Sequence, residues 1–421
     1  MIEETMRRIE KVFASLRWVF VLALVVRLFV VMLGYDGDPQ DTPEYEEIAH
    51  NLLAGRGFVA SYWWYGFELK SWRAPFYPFF LASVYGVFGY EQWVVRVIQC
   101  VVGALTACFI VGIAKRLNAK MASLCGGLAV VYGPLVSVSN EIMTETWFIF
   151  WLVIGAYCLL QDKRYWLMGG GAIGCAILTR PIGGLLLVAW MICAWIRHTD
   201  WKHIVGVCSV AILVVLPWTI RNYYVHGAWP IVSTQGGFIV AHSNALDPDW
   251  KKEIGWGTTR RFLEEMPSEL DRDRYWWREG LTFIVTYPKV YLRLVVERFV
   301  RLWYFFRPDY NFWWMLVLPV GCLGIWHYGR RGDYLFLTLF VGLSVLVFSC
   351  LLYGATRFRL PLEAFFLVFV GAGFLYLMDR WGGQKVMRIG GLVVGVHVLV
   401  DWQDVWLRQT LLALLSDLGM K

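Results

Sequence analysis

Charged residues are scarce in this chain of 421 residues: only 17% are Asp, Glu, Lys or Arg, whereas soluble proteins average about 25%. Hydrophobic residues make up 58% and are concentrated in long continuous runs. This composition excludes a soluble domain. In lipid every backbone polar group must be satisfied within the protein, which leaves helices or a closed barrel. The runs do not alternate in polarity, so we expect an all-α polytopic membrane protein.

The sequence also lacks the cysteine patterns of disulfide-bonded and metal-binding proteins. All nine cysteines lie within apolar segments, and none has the spacing of a metal site. We therefore expect neither disulfides nor a cysteine-bound metal ion. The net charge of +7 comes from short basic clusters between apolar runs. That distribution is typical of membrane orientation signals, and it does not favour nucleic-acid binding.

The basic clusters predict how the chain crosses the membrane. Short loops rich in Lys and Arg stay in the cytoplasm, which places the N terminus inside and makes the first apolar run an uncleaved span. Continued alternation predicts about eleven transmembrane helices in the plasma (inner) membrane, among them one span at 93–114 and one at 121–139. We divide the chain into residues 1–220, with a large first outer loop at 35–92, an outer-face cap at 221–289 after about span seven, and C-terminal spans in 290–421.

Three stretches depart from simple alternation. The apolar run at 75–89 is short for a span, and a crossing there would put the basic cluster at 115–120 outside. We prefer a re-entrant or surface segment, with a crossing as the alternative. The run at 166–195 is broken by Arg180–Pro181 and predicts a tight hairpin with Arg180 at its outer tip. The stretches 287–304 and 403–418 predict surface helices.

This threading collects acidic and arginine side chains on the outer side. The set is Asp36, Asp38, Asp41, Glu68, Arg73, Glu141, Glu145, Arg180, Arg221, Arg357 and Arg359. Arginine binds phosphate oxygens in a fixed fork geometry, and a carboxylate accepts a proton from a hydroxyl. Together at a membrane surface, these groups favour chemistry on a lipid phosphate ester.

Each of these residues also has a structural interpretation. Asp41 is as plausible a helix N-cap as a base, and Glu145 can equally cap the apolar run that it precedes. The arginines at span ends can anchor helices in the headgroup region. The residues that we interpret as turn or helix-dipole positions are Asp36, Asp38, Glu44, Glu46 and Glu47.

The segments DTPEYEEIAHNLLAGRGF and RAPFYPFFLASVYGVFG resemble the first outer loop of bacterial family 39-type, protein mannosyltransferase-like glycosyltransferases of the GT-C fold. Further matches follow in the same order: NEIMTETWF, LTRP, PWTIRNYYVHG with STQGG, and TRFRLPLE. The order of the motifs is more specific than any one of them. The resemblance implies a GT-C helical bundle that transfers one sugar, with inversion, from a polyprenyl-phosphate donor to a protein, lipid or glycan acceptor.

The resemblance also implies roles for individual residues. Asp41 falls on the position of the base or acceptor-orienting carboxylate, and Glu145 on the second acidic position. The remaining candidates are donor-phosphate ligands at Arg73, Arg221, Arg357 and Arg359, and supporting residues at Tyr45, Glu68, Glu141, Arg180 and His242. The aminoarabinose-transferring relatives have an adjacent Glu-Lys pair where this chain does not. Asp41 is followed by Thr, so a two-carboxylate metal site is not supported, and divalent-metal dependence stays open.

Two other activities are alternatives to the transfer of a single sugar. A transporter or flippase of lipid-linked sugars would place charges near the bilayer midplane and carry inverted repeats, and no repeat is visible here. An oligosaccharide ligase or polymerase shares the chemistry of single-sugar transfer, so the sequence does not separate the two.

Overall fold

The computed structural model describes residues 10–34, 41–61, 68–244, 268–303, 313–386 and 388–399. The predictions at Asp36 and Asp38 and the predicted surface helix at 403–418 lie outside these residues. Within them most residues are helical, and the β-structure is limited to one isolated bridge between Ala60 and Leu69. The predicted all-α class is confirmed.

The helices follow one another with short connections. The first half contains α1 (Leu16–Met32), α2 (Thr42–Leu53), α3 (Phe76–Phe88), α4 (Gln92–Leu117), α5 (Ala122–Val131), α6 (Gly133–Ser137), α7 (Glu145–Leu160) and α8 (Trp166–Thr179). The second half contains α9 (Gly184–Ile196), α10 (Trp201–His226), α11 (Gly236–Ser243), α12 (Glu269–Thr286), α13 (Pro288–Trp303), α14 (Trp313–Tyr328), α15 (Tyr334–Cys350) and α16 (Thr356–Trp381).

Several of these helices are suited to a membrane. Length and composition qualify α4, α10 and α16 as spans, and shorter apolar helices accompany them in the described part of the chain. The chain is a multi-pass membrane protein, while the number of spans and their orientation stay predictions. Helix α16 is buried on most faces, and its packing against α14 requires glycine. A Cβ on Gly324 would overlap the carbonyl oxygen of Phe369, and one on Gly373 that of Val320. Small residues of this kind let membrane helices approach closely.

Proline breaks two of the apolar runs. Arg180 is extended before Pro181, and the chain reverses there, because the rings of Trp166 and Trp190 lie 5.3 Å apart on opposite arms. This is the predicted hairpin. The run at 121–139, predicted as one span, is instead divided into α5 and α6 by an extended Tyr132 two residues before Pro134.

A buried arginine from α1 compensates for the second break. Arg27 is 1% exposed and donates to the carbonyl oxygens of Ala129 and Leu135 at 3.4 and 3.3 Å. Those oxygens flank the division between α5 and α6, where helical hydrogen bonding is interrupted. The buried charge on α1 is therefore explained by backbone carbonyl groups that would have no hydrogen-bond partner in an apolar environment.

The bundle has two polar ends of different character. At one end Asp333 accepts from Arg197 at 2.7 Å and lies 3.5 Å from Arg116. These residues belong to clusters that the sequence placed in the cytoplasm. Helix α4 runs from Arg116 at this end to Gln99 at the other, where Gln99 donates to the carbonyl oxygen of Glu141 at 2.7 Å.

Helix α3 stays at the second end of the bundle. Just before it, Arg73 pairs with Glu44 on α2 at 2.6 Å. Near its end Tyr85 donates to Glu46, also on α2, at 2.7 Å, and Gln92 at the start of α4 donates to the same carboxylate at 2.9 Å. Since both ends of α3 contact one short helix, α3 does not traverse the bundle. This geometry favours the re-entrant or surface interpretation of residues 75–89.

Candidate active site

Asp41 stands at the centre of a charged cluster at this end. It occupies the N-cap position of α2, but its side chain makes no capping hydrogen bond. One carboxylate oxygen accepts from Arg73 at 3.0 Å and the other from Arg357 at 3.1 Å. The cap interpretation of Asp41 therefore fails, since both oxygens are directed at arginines that lie 32 and 316 positions along the chain.

Glu145 extends the cluster to two further helices. It is the first residue of α7 and is 1% exposed. Its Oε1 accepts from Arg357 Nε at 2.5 Å and lies 3.2 Å from Arg180 Nη2 at the tip of the α8–α9 hairpin. Arg357 therefore bridges Asp41 and Glu145. We call Asp41, Glu44, Glu145, Arg73, Arg180 and Arg357 the charged cluster.

Glu44 is the member that sequence reasoning missed. It was interpreted as a helix-dipole residue, yet it is 1% exposed and its Oε2 accepts from the same Arg73 nitrogen as Asp41, at 2.6 Å. The signal was present, because residues three apart share a helix face and Glu44 follows Asp41 by three. The Arg73 guanidinium also lies 5.0 Å from the centre of the Tyr45 ring, so Tyr45 contacts the charged cluster.

The pKa values of the neighbouring Asp41 and Glu44 carboxyl groups are shifted in opposite directions. Burial acts to raise the pKa of Asp41, but Arg73 and Arg357 outweigh it and hold that pKa below its ordinary value. For Glu44 burial prevails over Arg73, so its pKa is raised. Asp41 is consequently ionised at neutral pH, and a third of its side chain is exposed to an incoming group. Carboxyl groups whose pKa values are driven apart are typical of acid–base sites.

An apolar groove of about 770 Å³ opens beside the cluster, between α3, α8 and α10. Its walls include Phe76, Phe79 and Trp218, and Arg221 also lines it. Arg221 donates hydrogen bonds to neutral oxygens: the carbonyls of Lys70 and Phe58, Ser71 Oγ and Asn222 Oδ1, at 2.7–3.3 Å. In this respect Arg221 differs from Arg73 and Arg357, whose charges carboxylates neutralise. The groove thus combines apolar walls with an arginine that anions can approach.

One short segment connects the groove to the charged cluster. Ser71 is bonded to Arg221, and Arg73 is bonded to Asp41. Because Ser71 and Arg73 are two positions apart in the chain, their Cα atoms are at most about 7 Å apart. Glu269 of α12 fixes the segment by accepting from the backbone N–H groups of Lys70 and Ser71 at 2.8 and 3.1 Å. The groove and the cluster are therefore parts of one site.

Four predicted residues are not members of the charged cluster. Arg359 is 2% exposed and pairs with Glu363 at 2.5 Å in the interior of the bundle. Glu141 contributes its backbone carbonyl to Gln99. Glu68 is an exposed residue 3.9 Å from Lys70. His242, on α11, packs against Tyr353 with ring centres 5.2 Å apart.

The described residues include no group of three His, Cys, Asp or Glu side chains arranged to hold a metal ion. Within that part of the chain, arginine is the group that neutralises the carboxylates of the site.

Residues 72–220 match the family model for dolichyl-phosphate-mannose-protein mannosyltransferases, and no curated protein matches the sequence. Among solved structures, the chain is similar to an oligosaccharyltransferase from Archaeoglobus fulgidus tethered to an acceptor peptide, with a TM-score of 0.55 and 12% identity over 92% of this chain and 54% of that one. It is also similar to ArnT from Cupriavidus metallidurans bound to undecaprenyl phosphate, with a TM-score of 0.55 and 16% identity over 90% and 64%.

The chain has the GT-C fold. Apo ArnT from the same organism gives a similar agreement, with a TM-score of 0.54 and 16% identity over 89% of this chain and 62% of that chain. The resemblance drawn from the motifs to protein mannosyltransferase-like transferases is thereby confirmed. The chain spans between about half and two thirds of the length of these GT-C structures.

Proposed function

We propose that this protein is a membrane glycosyltransferase that moves a sugar from a polyprenyl-phosphate donor to a hydroxyl-bearing acceptor. The observation that carries the proposal is the union of an apolar groove containing Arg221 with a charged cluster around Asp41. A long isoprenoid tail suits the groove, and its phosphate suits Arg221. The similarity to ArnT with bound undecaprenyl phosphate supports this choice of donor.

The chemistry is a single displacement with inversion. The acceptor oxygen attacks the anomeric carbon from the side opposite the phosphate, and a new glycosidic bond forms as the bond to the phosphate oxygen breaks. The electron pair leaves with the phosphate, where Arg221 stabilises the developing charge. The hydroxyl proton passes to Asp41. Arg73 and Arg357 keep Asp41 ionised and fix its direction.

Orientation and acceptor belong to the same proposal. The basic clusters at the opposite end of the bundle favour a cytoplasmic location for that end, so the reaction takes place on the outer face of the inner membrane. The acceptor is a protein, a lipid or a glycan that is exposed there. The acidic and arginine groups of the charged cluster are compatible with a hydroxyl from any of these three acceptor classes.

The proposal is tested with purified protein and a panel of polyprenyl phosphates carrying single sugars. We expect one donor to be consumed, with release of one polyprenyl phosphate for each sugar transferred. Inversion is checked by the anomeric configuration of the product. If no sugar-bearing polyprenyl phosphate is consumed in the presence of membrane extracts containing acceptors, the proposal is wrong. Loss of turnover on adding a chelator would assign a divalent metal to the reaction.

A further inference from the structure

A continuous line of aromatic rings passes along one side of the charged cluster. It runs from Trp72 to Phe238 (ring centres 5.5 Å apart), to His242 (5.4 Å), to Tyr353 (5.2 Å) and to Phe358 (6.2 Å). We call these five residues the aromatic arc. Two of its contacts are stacked, those of Phe238 with His242 and of Tyr353 with Phe358.

The two ends of the arc adjoin the arginines that hold Asp41. Trp72 precedes Arg73 in sequence, and Phe358 follows Arg357. The arc also contacts the charged cluster directly, because the Arg180 guanidinium lies 5.9 Å from the centre of the Phe358 ring. In addition, the Asp41 charge adds to burial in raising the pKa of Tyr353. The arc therefore spans the interval between Arg73 and Arg357 on the side of the cap.

The cap holds the arc in place. Trp276 of α12 packs edge-on against Phe238, with ring centres 5.2 Å apart, and also contacts Trp72. The Gly237 N–H, beside Phe238, donates to Asp273 at 2.7 Å. Trp72 is buried by these contacts, whereas Phe238, His242, Tyr353 and Phe358 are only partly buried. Four rigid rings thus keep part of their surface accessible.

Two of these four rings, those of His242 and Tyr353, carry polar atoms. Tyrosine and histidine present an apolar body together with a hydrogen-bonding tip. A sugar ring is complementary to such a surface, since it has an apolar face of C–H groups and a rim of hydroxyls. A purely structural apolar wall does not require polar tips on its partly exposed members. The position beside Asp41 is the place where the reacting sugar must lie if Asp41 receives the acceptor proton.

We propose that the aromatic arc binds the sugar ring that is transferred, with the ring face of Tyr353 against its C–H face and the His242 ring, which lies at 73° to that of Tyr353, against its edge. This inference rests on the proposed function and names the part of the site that reads the donor sugar. Arg221 and the groove bind the lipid phosphate, which every donor shares. The arc supplies the contacts that distinguish a sugar-bearing donor from bare polyprenyl phosphate.

Binding measurements with the full chain in lipid nanodiscs test the proposal. The probes are polyprenyl phosphate alone and polyprenyl phosphate carrying mannose, glucose or aminoarabinose. We expect the wild type to bind one sugar-bearing probe more tightly than the bare phosphate. Tyr353→Leu and His242→Leu should each reduce that affinity about three- to tenfold, as expected for loss of an aromatic contact, and leave the affinity for bare polyprenyl phosphate unchanged.

Ring-preserving variants and a remote control separate recognition from folding. Tyr353→Phe and His242→Phe keep the rings and should retain most of the preference for the sugar. His327→Leu removes a ring from another stacked pair, with Tyr376, and should bind like the wild type. Equal loss of both kinds of probe in the leucine variants, or no loss of either, would overturn the inference. Failure of the wild type to bind bare polyprenyl phosphate would instead refute the proposed function.

Discussion

Asp41 combines two properties that usually oppose each other in a base. Its paired arginines keep it ionised, but they also lower its pKa and so reduce its affinity for a proton. A carboxylate of this kind is effective late in the displacement, when the attacking oxygen has begun to bond and its proton has become acidic. Before that point, Asp41 can orient the acceptor hydroxyl by accepting its hydrogen bond.

The contrast between Arg357 and Arg359 depends on helix geometry. Both are candidates for the donor phosphate because the threading places them with the other arginines on the outer side. Successive residues in an α-helix are rotated by about 100°, so residues two apart point to nearly opposite sides. Arg357 accordingly pairs with Asp41, and Arg359 pairs with Glu363. The sequence located the pair, but the choice between them required the start and rotation of α16.

Glu44 should prove important for transfer although it was not expected to be from sequence. Glu44→Gln removes the charge that anchors Arg73 and leaves the size of the side chain unchanged. Hydrogen bonds to charged groups are worth about 1.5–3 kcal/mol, so we expect turnover to fall about tenfold or more while the KM for the donor changes little. Steady-state kinetics with the active donor measure this.

Glu47→Gln is the matched control, because Glu47 lies on the same helix but accepts from Ser61 at the surface. Equal turnover for Glu44→Gln and the wild type would show that Arg73 is positioned without Glu44.

At the scale of elements, the apolar runs located the helices well, and proline decided where they were divided. The predicted span at 93–114 corresponds to α4, and the amphipathic stretch at 287–304 corresponds to α13. The break at Pro181 was predicted, whereas the break before Pro134 was missed. Hydropathy remains high across both breaks, so only the backbone restrictions of proline and its neighbours reveal them.

Close packing between α14 and α16 should be sensitive to a single methyl group. Gly324→Ala places a Cβ against the backbone of Phe369, where no side-chain rotation relieves the overlap. Overpacking of this kind costs about 1–3 kcal/mol, so the thermal midpoint of the purified protein should fall. Gly342→Ala is the control, since no described atom lies within 4 Å of its added Cβ. Equal midpoints for the two variants would contradict this account of the interface.

The packing of the cap should depend on pH through Asp273. Burial raises the pKa of this carboxyl to about 6, above its unfolded value of about 3.9. The folded state therefore binds the proton more tightly, and the associated stability is present at low pH and lost as pH rises through about 6. Hydrogen-exchange protection factors at α11 and α12, which are corrected for the pH dependence of the intrinsic exchange rate, should be larger at pH 5 than at pH 7.5. Asp273→Asn should reduce that difference, and an unchanged difference would contradict the assignment.

At the scale of the whole molecule, the arrangement of charge was predictable because orientation signals and site residues occupy opposite ends. The threading brought Asp41, Arg73, Glu145, Arg180 and Arg357 to one side using apolar length and basic clusters alone. It did not predict which groups pair, the groove beside Arg221 or the aromatic arc. Those features depend on tertiary contacts between segments that are far apart in sequence, which no local pattern encodes.

Because the site lies at one end of the bundle and the basic clusters lie at the other, the two ends should differ in their accessibility to a reagent outside the cell. Arg56 and Glu91, on either side of α3, are exposed at the end that carries the site, and Lys120 is exposed beyond the other end of α4. Cysteines introduced at Arg56 and Glu91 should both react with an impermeant maleimide applied from outside intact cells. A cysteine at Lys120 should react only after permeabilisation. The wild type reports the background from the native cysteines, and outside labelling at Lys120 would overturn the topology.

The central claim is that the Asp41 carboxylate acts in the transfer step, and one comparison tests it most directly. Asp41→Asn keeps the shape of the side chain and removes its charge, whereas Asp333→Asn makes the same change in an aspartate that two arginines hold at the opposite end. With the active donor, we expect turnover by Asp41→Asn to fall about 10²–10⁴-fold while Asp333→Asn stays near the wild type. Wild-type turnover by Asp41→Asn would contradict the account.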